Sequence, residues 1–305
     1  MQQHIHTHSM NALCNALCVS RSGFYAWRNR PINDTKLALS QAIAACHISH
    51  KARAGAPSIH ADLQAQGFCV SVRTVARILC GLGLRAKHSR KFRHTTDSNH
   101  PYGASPHLLN RDFTATRPNQ VWVGDITYIH TDEGWLYLAV MLDIYSRQVV
   151  GWQMSNRIDR HLVCDALQAA LVTRGIAKQP LSKMSIGLPV DLPAGLPIGL
   201  MVHSDQGVQY ASNDYRNKIQ DYGLTQSMSR RGNCWDNAVA ESFFATLKKQ
   251  AIFGERFLTR QAAQQHIFEY IECYYNRIRR HSTNGWVSPV NFEARYYKSI
   301  EGMGV

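Results

Sequence analysis

The sequence predicts an α/β protein in which a small, basic, helical region precedes a sheet flanked by helices. Three observations carry this expectation. Residues 1–116 hold 14 Lys/Arg against 4 Asp/Glu and residues 117–305 hold 20 against 17, so most of the formal net charge of +13 sits in the first part. Apolar residues recur with helical spacing from Met10 to about Arg85 and in strand-like runs from Gln120 onward. Between the two regimes lies a polar, basic stretch with Pro101, Pro106 and Pro118 and no periodicity. A chain of 305 residues with 45% apolar content can bury a sizeable core and divide into two domains.

Composition narrows the functional class. A basic region of this kind points to a polyanion, most commonly nucleic acid, with a ribosome-like or membrane-surface partner as the alternative. No apolar run is long enough to span a membrane, and "MQQHIHTHSM" lacks the apolar segment of a signal peptide, so the expected location is the cytoplasm. The eight cysteines then read as reduced, buried thiols. His4, His8, Cys14 and Cys18 make a poor zinc set, because three residues separate the cysteines. With Leu13 and Leu17 they space themselves as core residues of a helix.

The helical region contains an echo, "CVSRSGFYAWR" at 18–28 and "CVSVRTVARIL" at 69–79. In each, a turn ending in Val meets a Ser suited to N-capping, then a helix with basic residues near its start. Around the second copy, Pro57 and Ser58 open a helix through Ala65, Gly67 ends it, and Ser71 caps the next, whose Val75, Ile78, Leu79 and Leu82 face inward. Arg73, Thr74 and Arg77 are left on the outer side, the pattern of a helix-turn-helix whose second helix suits the major groove.

Beyond the linker, "QVWVGDITYI" (120–129), "WLYLAVMLDI" (135–144) and "RQVVGWQM" (147–154) read as a three-strand meander, with "TDEG" as its first turn. The middle run is apolar on both faces and belongs in the interior. Asp159 can cap a helix running to Arg174, with Gly175 as its stop. "SIGLPVDLPAGLPIGL" (185–200) is too proline-rich for a central element and reads as an insertion or loop, from which "LMVHSD" emerges as the fourth strand.

Three acids stand out. Asp125 interrupts an apolar strand, where an unpartnered charge is costly. Asp205 ends another strand and precedes Gly207, a position that reads either as an Asx-turn or as the edge of a functional crevice. Glu241 shares a helix face with Ala245 and Lys248, while Phe244, Leu247 and Ala251 face the core. Carboxylates gathered at one sheet edge repel one another unless a divalent cation neutralises them, and oxygen ligation suits magnesium or manganese. Asp143 reads as a turn residue and Asp236 as the N-cap of the Glu241 helix.

The set "DITYI", "HSDQGVQY" and "CWDNAVAESFFATLK", with 35 residues between Asp205 and Glu241, resembles the DDE integrase core of bacterial insertion-sequence transposases. More narrowly, it resembles the downstream-frame protein of elements that encode their transposase in two overlapping frames. "LCVSRSGFYAWRNRP" (17–31) and the helical pair at 57–86 look like its DNA-binding region, "RDFTATRPNQVW" (111–122) like its entry to the core, and "YYNRIRRHSTNGWVSP" (274–289) like its C-terminal signature.

The resemblance implies an RNase H-like core at 119–290, a five-stranded mixed sheet with flanking helices. A helical DNA-binding region at 1–86 and a basic linker at 87–118 would precede it, and a tail at 291–305 would follow. It further implies that Asp125, Asp205 and Glu241 are catalytic and hold two Mg2+ or Mn2+ ions for nicking and strand transfer at terminal repeats. Arg73, Arg77, Lys248, Lys249, Arg279 and Arg280 are the expected DNA contacts. The expected partners are element ends and target DNA, further copies of the chain, and an upstream-frame protein by fusion or association, in a nucleoid-associated bacterial setting. A nuclease that cuts without joining and an inactive DNA-binding regulator are the alternatives.

Overall fold

The computed structural model describes residues 4, 6–29, 34–87, 105–109, 114–176, 199–230 and 234–302, the side chains of 234 and 235 excepted. Most of the basic linker and the Gly-Leu-Pro stretch up to residue 198 therefore lie outside the described residues.

Both copies of the echo fold alike. Helix α1 (Met10–Ala16) leads through a turn to α2 (Arg21–Arg28), where the Ser20 hydroxyl accepts the Gly23 N–H. Helices α3 (Asp34–Ser49), α4 (Ala56–Ala65) and α5 (Val72–Gly81) form a second unit, and there the Ser71 hydroxyl accepts the Thr74 N–H. The shared device is a Ser that satisfies one orphan N–H of the first turn. Gly67, at φ +89°, stops α4 as expected. Val75 and Leu79 pack on Leu39, Ile43, Ile59 and Leu63.

Two expectations fail in this region. Leu82 is 46% exposed, because α5 ends at Gly81 and the chain turns away before another inward position is reached. Cys18 lies beyond α1 in a left-handed conformation, so it is exposed while Cys14 is buried. Cys69, Cys80 and Cys273 are exposed as well, and the thiols of the described residues are free.

The core is a five-stranded sheet in the order β3-β2-β1-β4-β5, formed by β1 (Val121–Thr131), β2 (Gly134–Asp143), β3 (Val149–Ser155), β4 (Met201–Ser204) and β5 (Thr225–Met228). The first three strands form the antiparallel meander, whereas β4 lies parallel to β1 and β5 parallel to β4. Strand alternation sends Val121, Val123 and Ile129 to one face, beneath α8 (Ala238–Leu247) and α9 (Arg260–Phe268), and Trp122 to the other, beneath α6 (Arg160–Thr173) and α7 (Asn213–Asp221). Asp159 caps α6 by accepting from the His161 and Leu162 N–H groups, and Gly175 stops it at φ +64°.

The linker is in part structural. Pro106 accepts the Met228 N–H, and the Leu108 and Leu109 N–H groups meet the Ser227 hydroxyl, so residues 105–109 run along the edge strand β5. This coverage protects an edge that would otherwise expose unpaired backbone groups. The C-terminal signature is a brace. Asn276 meets both the N–H and the carbonyl of Val149 at 3.0 Å, Asn284 donates to Ser146 O, and Arg174 pairs with Glu293 of α10 (Pro289–Glu301). The final helix is thus packed rather than a free tail.

The α3–α5 unit is docked on the core. Arg53 forms a two-pronged pair with Glu269, and its guanidinium lies 5.3 and 4.9 Å from the Tyr270 and Tyr274 ring centres. Asp62 of α4 accepts from Arg280 and lies 2.7 Å from His50 Nε2. Burial raises the Asp62 carboxyl, but the His50 and Arg280 hydrogen bonds outweigh it and leave the group below its ordinary value.

Helix α6 can lie against β3 only because Gly151 has no side chain. A Cβ there would stand 2.3 Å from the Ala170 nitrogen and 2.6 Å from the Ala166 carbonyl oxygen, both backbone atoms that cannot move alone. Gly151→Ala is expected to destabilise the protein by about 3 kcal/mol or more through overpacking. Urea denaturation checks this, and an unchanged midpoint would contradict the described contact.

Candidate active site

The pairing of β1 with β4 sets the position of two acids. The parallel register runs from Val121↔Met201 to Gly124↔Ser204, so the next residue along each segment is an acid, Asp125 within β1 and Asp205 just past the end of β4. Asp125 occupies the position that alternates toward α8, the helix that carries Glu241. The start of α8 is tied to the same spot, because Asn237 Nδ2 donates to the Gly124 carbonyl at 3.3 Å.

The three carboxylates share one electrostatic environment. Burial drives Asp125 well above the usual carboxylate range, and the charges of Asp205 and Glu241 push it the same way. The Ile126 N–H, 2.8 Å from Oδ1, and the Lys248 ammonium only partly offset this. Lys248 begins the π-helical turn Lys248–Ile252, and its Nζ stands 5.2 Å from the Tyr128 ring centre. Burial draws this ammonium below the ordinary lysine value, while Asp125 pulls the other way.

The Asx-turn reading of Asp205 holds. Its Oδ1 accepts the Gly207 N–H at 3.0 Å, an Asx-turn that orients the carboxylate at the strand end. A Cβ on Gly207 would come within 3.0 Å of that same oxygen, so the glycine leaves the carboxylate its place. Among the described residues no three His, Cys, Asp or Glu side chains are already gathered closely enough to hold a metal ion. The donors still fit a hard divalent cation in kind, being carboxylate oxygens whose mutual repulsion a positive charge would relieve.

Neighbouring acids have other duties. Asp143 accepts the Tyr145 and Asn119 N–H groups and shapes the turn after β2, as expected. Asp236 is not the cap of α8. The cap position is Asn237, and Asp236, fully buried one residue earlier, accepts from the Arg230 backbone and guanidinium. An extra turn of 3-10 helix at Cys234–Asn237 displaces the expected helix start.

The basic residues divide into three groups. Arg73 and Arg77 are exposed on α5, whereas Lys248 and Lys249 are half-buried beyond α8. Arg279 and Arg280 engage the protein itself. Arg279 lies over the Tyr275 ring and donates to His281, which burial and Arg279 keep far below its normal pKa, at about 2. Arg280 meets Asp62 and the Trp286 carbonyl.

Sequence reasoning missed several residues here. His203 is fully buried, its two ring nitrogens 2.8 Å from the Ser227 hydroxyl and 3.2 Å from that of Ser229. Burial and then His107 lower its pKa to about 4, so it links β4 to β5 as a neutral ring. Tyr210 is enclosed beside Gly124, and Asn237 fastens α8. All three stand inside the quoted motifs, but the signal there was the charge of the acids, which drew attention from uncharged neighbours.

Three family models match the chain. The chain matches the Integrase core domain family over residues 115–234, which include Asp125 and Asp205, and a second Integrase core domain family over 222–289, which include Glu241. Residues 34–92, spanning α3 to α5, match the HTH-like domain family. Integrase cores are divalent-metal-dependent. The catalytic core domain of HTLV-2 integrase in complex with magnesium aligns with a TM-score of 0.41 and 14% identity, covering 59% of this chain and 99% of that one. A Shigella sonnei protein, the insertion element IS600 uncharacterized 31 kDa protein, is 41% identical, covering 94% of this chain and 99% of that protein. The Escherichia coli transposase InsF for insertion sequence IS3A is 44% identical over 298 residues, 96% of each chain. With that identity over nearly its whole length, and with an integrase core behind an HTH-like unit, the chain belongs to the IS3 family of insertion-sequence transposases.

Proposed function

We propose that this chain nicks DNA at the terminal repeats of its own element and joins the freed 3′-hydroxyl to another phosphodiester, with Asp125, Asp205 and Glu241 holding the divalent cations that the reaction needs. The observation that supports the reading is the β1–β4 register, whose last pair is followed by an acid on each side, with Glu241 close enough to raise the first of them. Mg2+ or Mn2+, two ions in this reading, would supply charge neutralisation and activation of the attacking oxygen.

The chain's own residues perform the remaining tasks. Gly207 leaves the Asp205 carboxylate its place, and Asn237 holds the helix of Glu241 against β1. Lys248 brings a positive charge to the same crevice for a DNA phosphate, with Lys249 following it in the chain. Arg73 and Arg77 offer exposed positive charge on the second helix of the helix-turn-helix unit, where they can meet bases and phosphates. The internal contacts of Arg279 and Arg280 favour a bracing role for those two. In this reading the working form is an oligomer on DNA, joined by an upstream-frame protein.

Two measurements test the reading. Asp125→Asn, Asp205→Asn and Glu241→Gln should each lower nicking and joining by about 10³-fold or more, with double variants hardly worse than singles. For Asp125 the folded pKa lies above the unfolded value, so ionisation costs stability as the pH rises through that interval. Asp125→Asn should therefore melt at the same or a higher temperature at neutral pH. A folded Asp205→Asn that still joins ends in magnesium would defeat the mechanism, and a wild type that nicks but never joins pre-nicked ends would leave a nuclease instead.

Arg73→Ala and Arg77→Ala should keep the fold, since both side chains are exposed. Each lost phosphate contact should flatten the plot of log affinity against log salt by about 0.9, with Arg73 the more apt to alter sequence preference near the start of α5. Unchanged affinity and slope in both variants would remove α5 from the DNA interface.

A further inference from the structure

Tyr210 is 1% exposed, yet its hydroxyl has no hydrogen-bond partner among the described residues. A buried hydroxyl without a partner carries its full desolvation cost, so such groups call for an explanation. The ring is well fixed. It meets Tyr215 edge-on with centroids 5.3 Å apart, and its Cε1 lies 3.4 Å from where a Cβ of Gly124 would stand. Its backbone carbonyl accepts from Gln226 Nε2 at 2.9 Å. A chain of turn bonds also links it to Asp205, since Tyr210 N donates to the Gly207 carbonyl and Gly207 N to the Asp205 carboxylate. The hydroxyl feels the negative charge of both Asp125 and Asp205.

We propose that Tyr210 is a positioning residue whose hydroxyl donates to the Asp125–Asp205 carboxylate pair when that pair closes on a divalent cation. The assignment rests on the carboxylate reading above. Carboxylates that bind a cation keep outward lone pairs that need donors, and such supporting hydrogen bonds fix ligand orientation. Tyr210 is an enclosed donor packed against Gly124, the residue before Asp125, and closure of the acids gives it the partner it otherwise lacks. Tyr215 also has a hydroxyl without a partner, but the charge that reaches it is that of Cys164 rather than of the acids, which makes it the matched control.

The test uses the full chain with Tyr210→Phe, Tyr215→Phe and Asp125→Asn. Three quantities are measured: the metal-free melting temperature, the Mn2+ concentration at half of the Mn2+-induced thermal shift, and kcat and KM for joining pre-nicked ends. Tyr210→Phe should melt no lower than wild type, need about tenfold more Mn2+, and lose about tenfold in kcat at unchanged KM for DNA. Tyr215→Phe should leave the Mn2+ midpoint and kcat as they are. A Tyr210→Phe variant with the wild-type Mn2+ midpoint overturns the assignment, whether its activity is normal or lost through a lowered melting temperature. An Asp125→Asn variant that keeps the full Mn2+ response overturns the carboxylate reading and this assignment with it. Loss of that response in Asp125→Asn beside an unaffected Tyr210→Phe overturns the assignment alone.

Discussion

The short parallel ladder between Val121–Gly124 and Met201–Ser204 is the constraint on which the rest of the core depends. A parallel pair cannot be joined by a tight turn, so the chain must leave the sheet after the meander, cross it as α6, and return to the centre. The return delivers Asp205 to the side of Asp125. It also divides the apolar residues of the sheet between two faces, each needing its own cover of helices. A slip of one residue in this ladder would turn Asp125 away from α8 and carry Val123 with it, so the core and the acids share one register.

Placing acids together inside a sheet works against folding. Asp125 is raised by burial and by both other carboxylates, which means that the folded chain bears a repulsion that the unfolded chain does not. The surrounding packing offsets it. Leu136, Leu138, Val140 and Leu142 are essentially inaccessible beneath α8 and α9, Trp122 and Met141 are so beneath α6, and so are Val163 and Leu167 on α6 itself. Burial of such side chains contributes roughly 1.5–3 kcal/mol each, enough for a dozen of them to hold a repelling pair in place. A functional site of this kind is local strain carried by a well-packed remainder.

Much of this was legible because it rests on local chemistry. Ser20, Ser71 and Asp159 announce helix starts through hydrogen bonds made within three residues, Gly67 and Gly175 announce stops, and the doubly apolar run of β2 announces an interior strand. The acids Asp125 and Asp205 were legible for the opposite reason, being out of place in apolar strands. What escaped depends on distant parts of the chain. Asp236 looks like a cap until Arg230 is brought beside it, and Arg280 looks like a free cation until Asp62, 218 residues away in sequence, meets it. Leu82 fits the apolar period of α5 but falls past the helix end. No residue-by-residue pattern reveals Tyr210, since its distinction is a buried hydroxyl with no partner among the described residues.

The dock between the α3–α5 unit and the core has a geometric meaning of its own. Arg53, gripped by Glu269 and two tyrosine rings, and Asp62, gripped by Arg280, join the part of the chain that carries α5 to the helices that cover the sheet. A reading helix on a loose tether could sample many cutting positions around its binding sequence. If α5 reads DNA as proposed, clamping it to the body would convert recognition into measurement, since the span from Arg73 to Asp125 is set by protein packing. In the function proposed above, the molecule would work as a calliper, with one jaw on the sequence that α5 meets and the other at the bond to be broken.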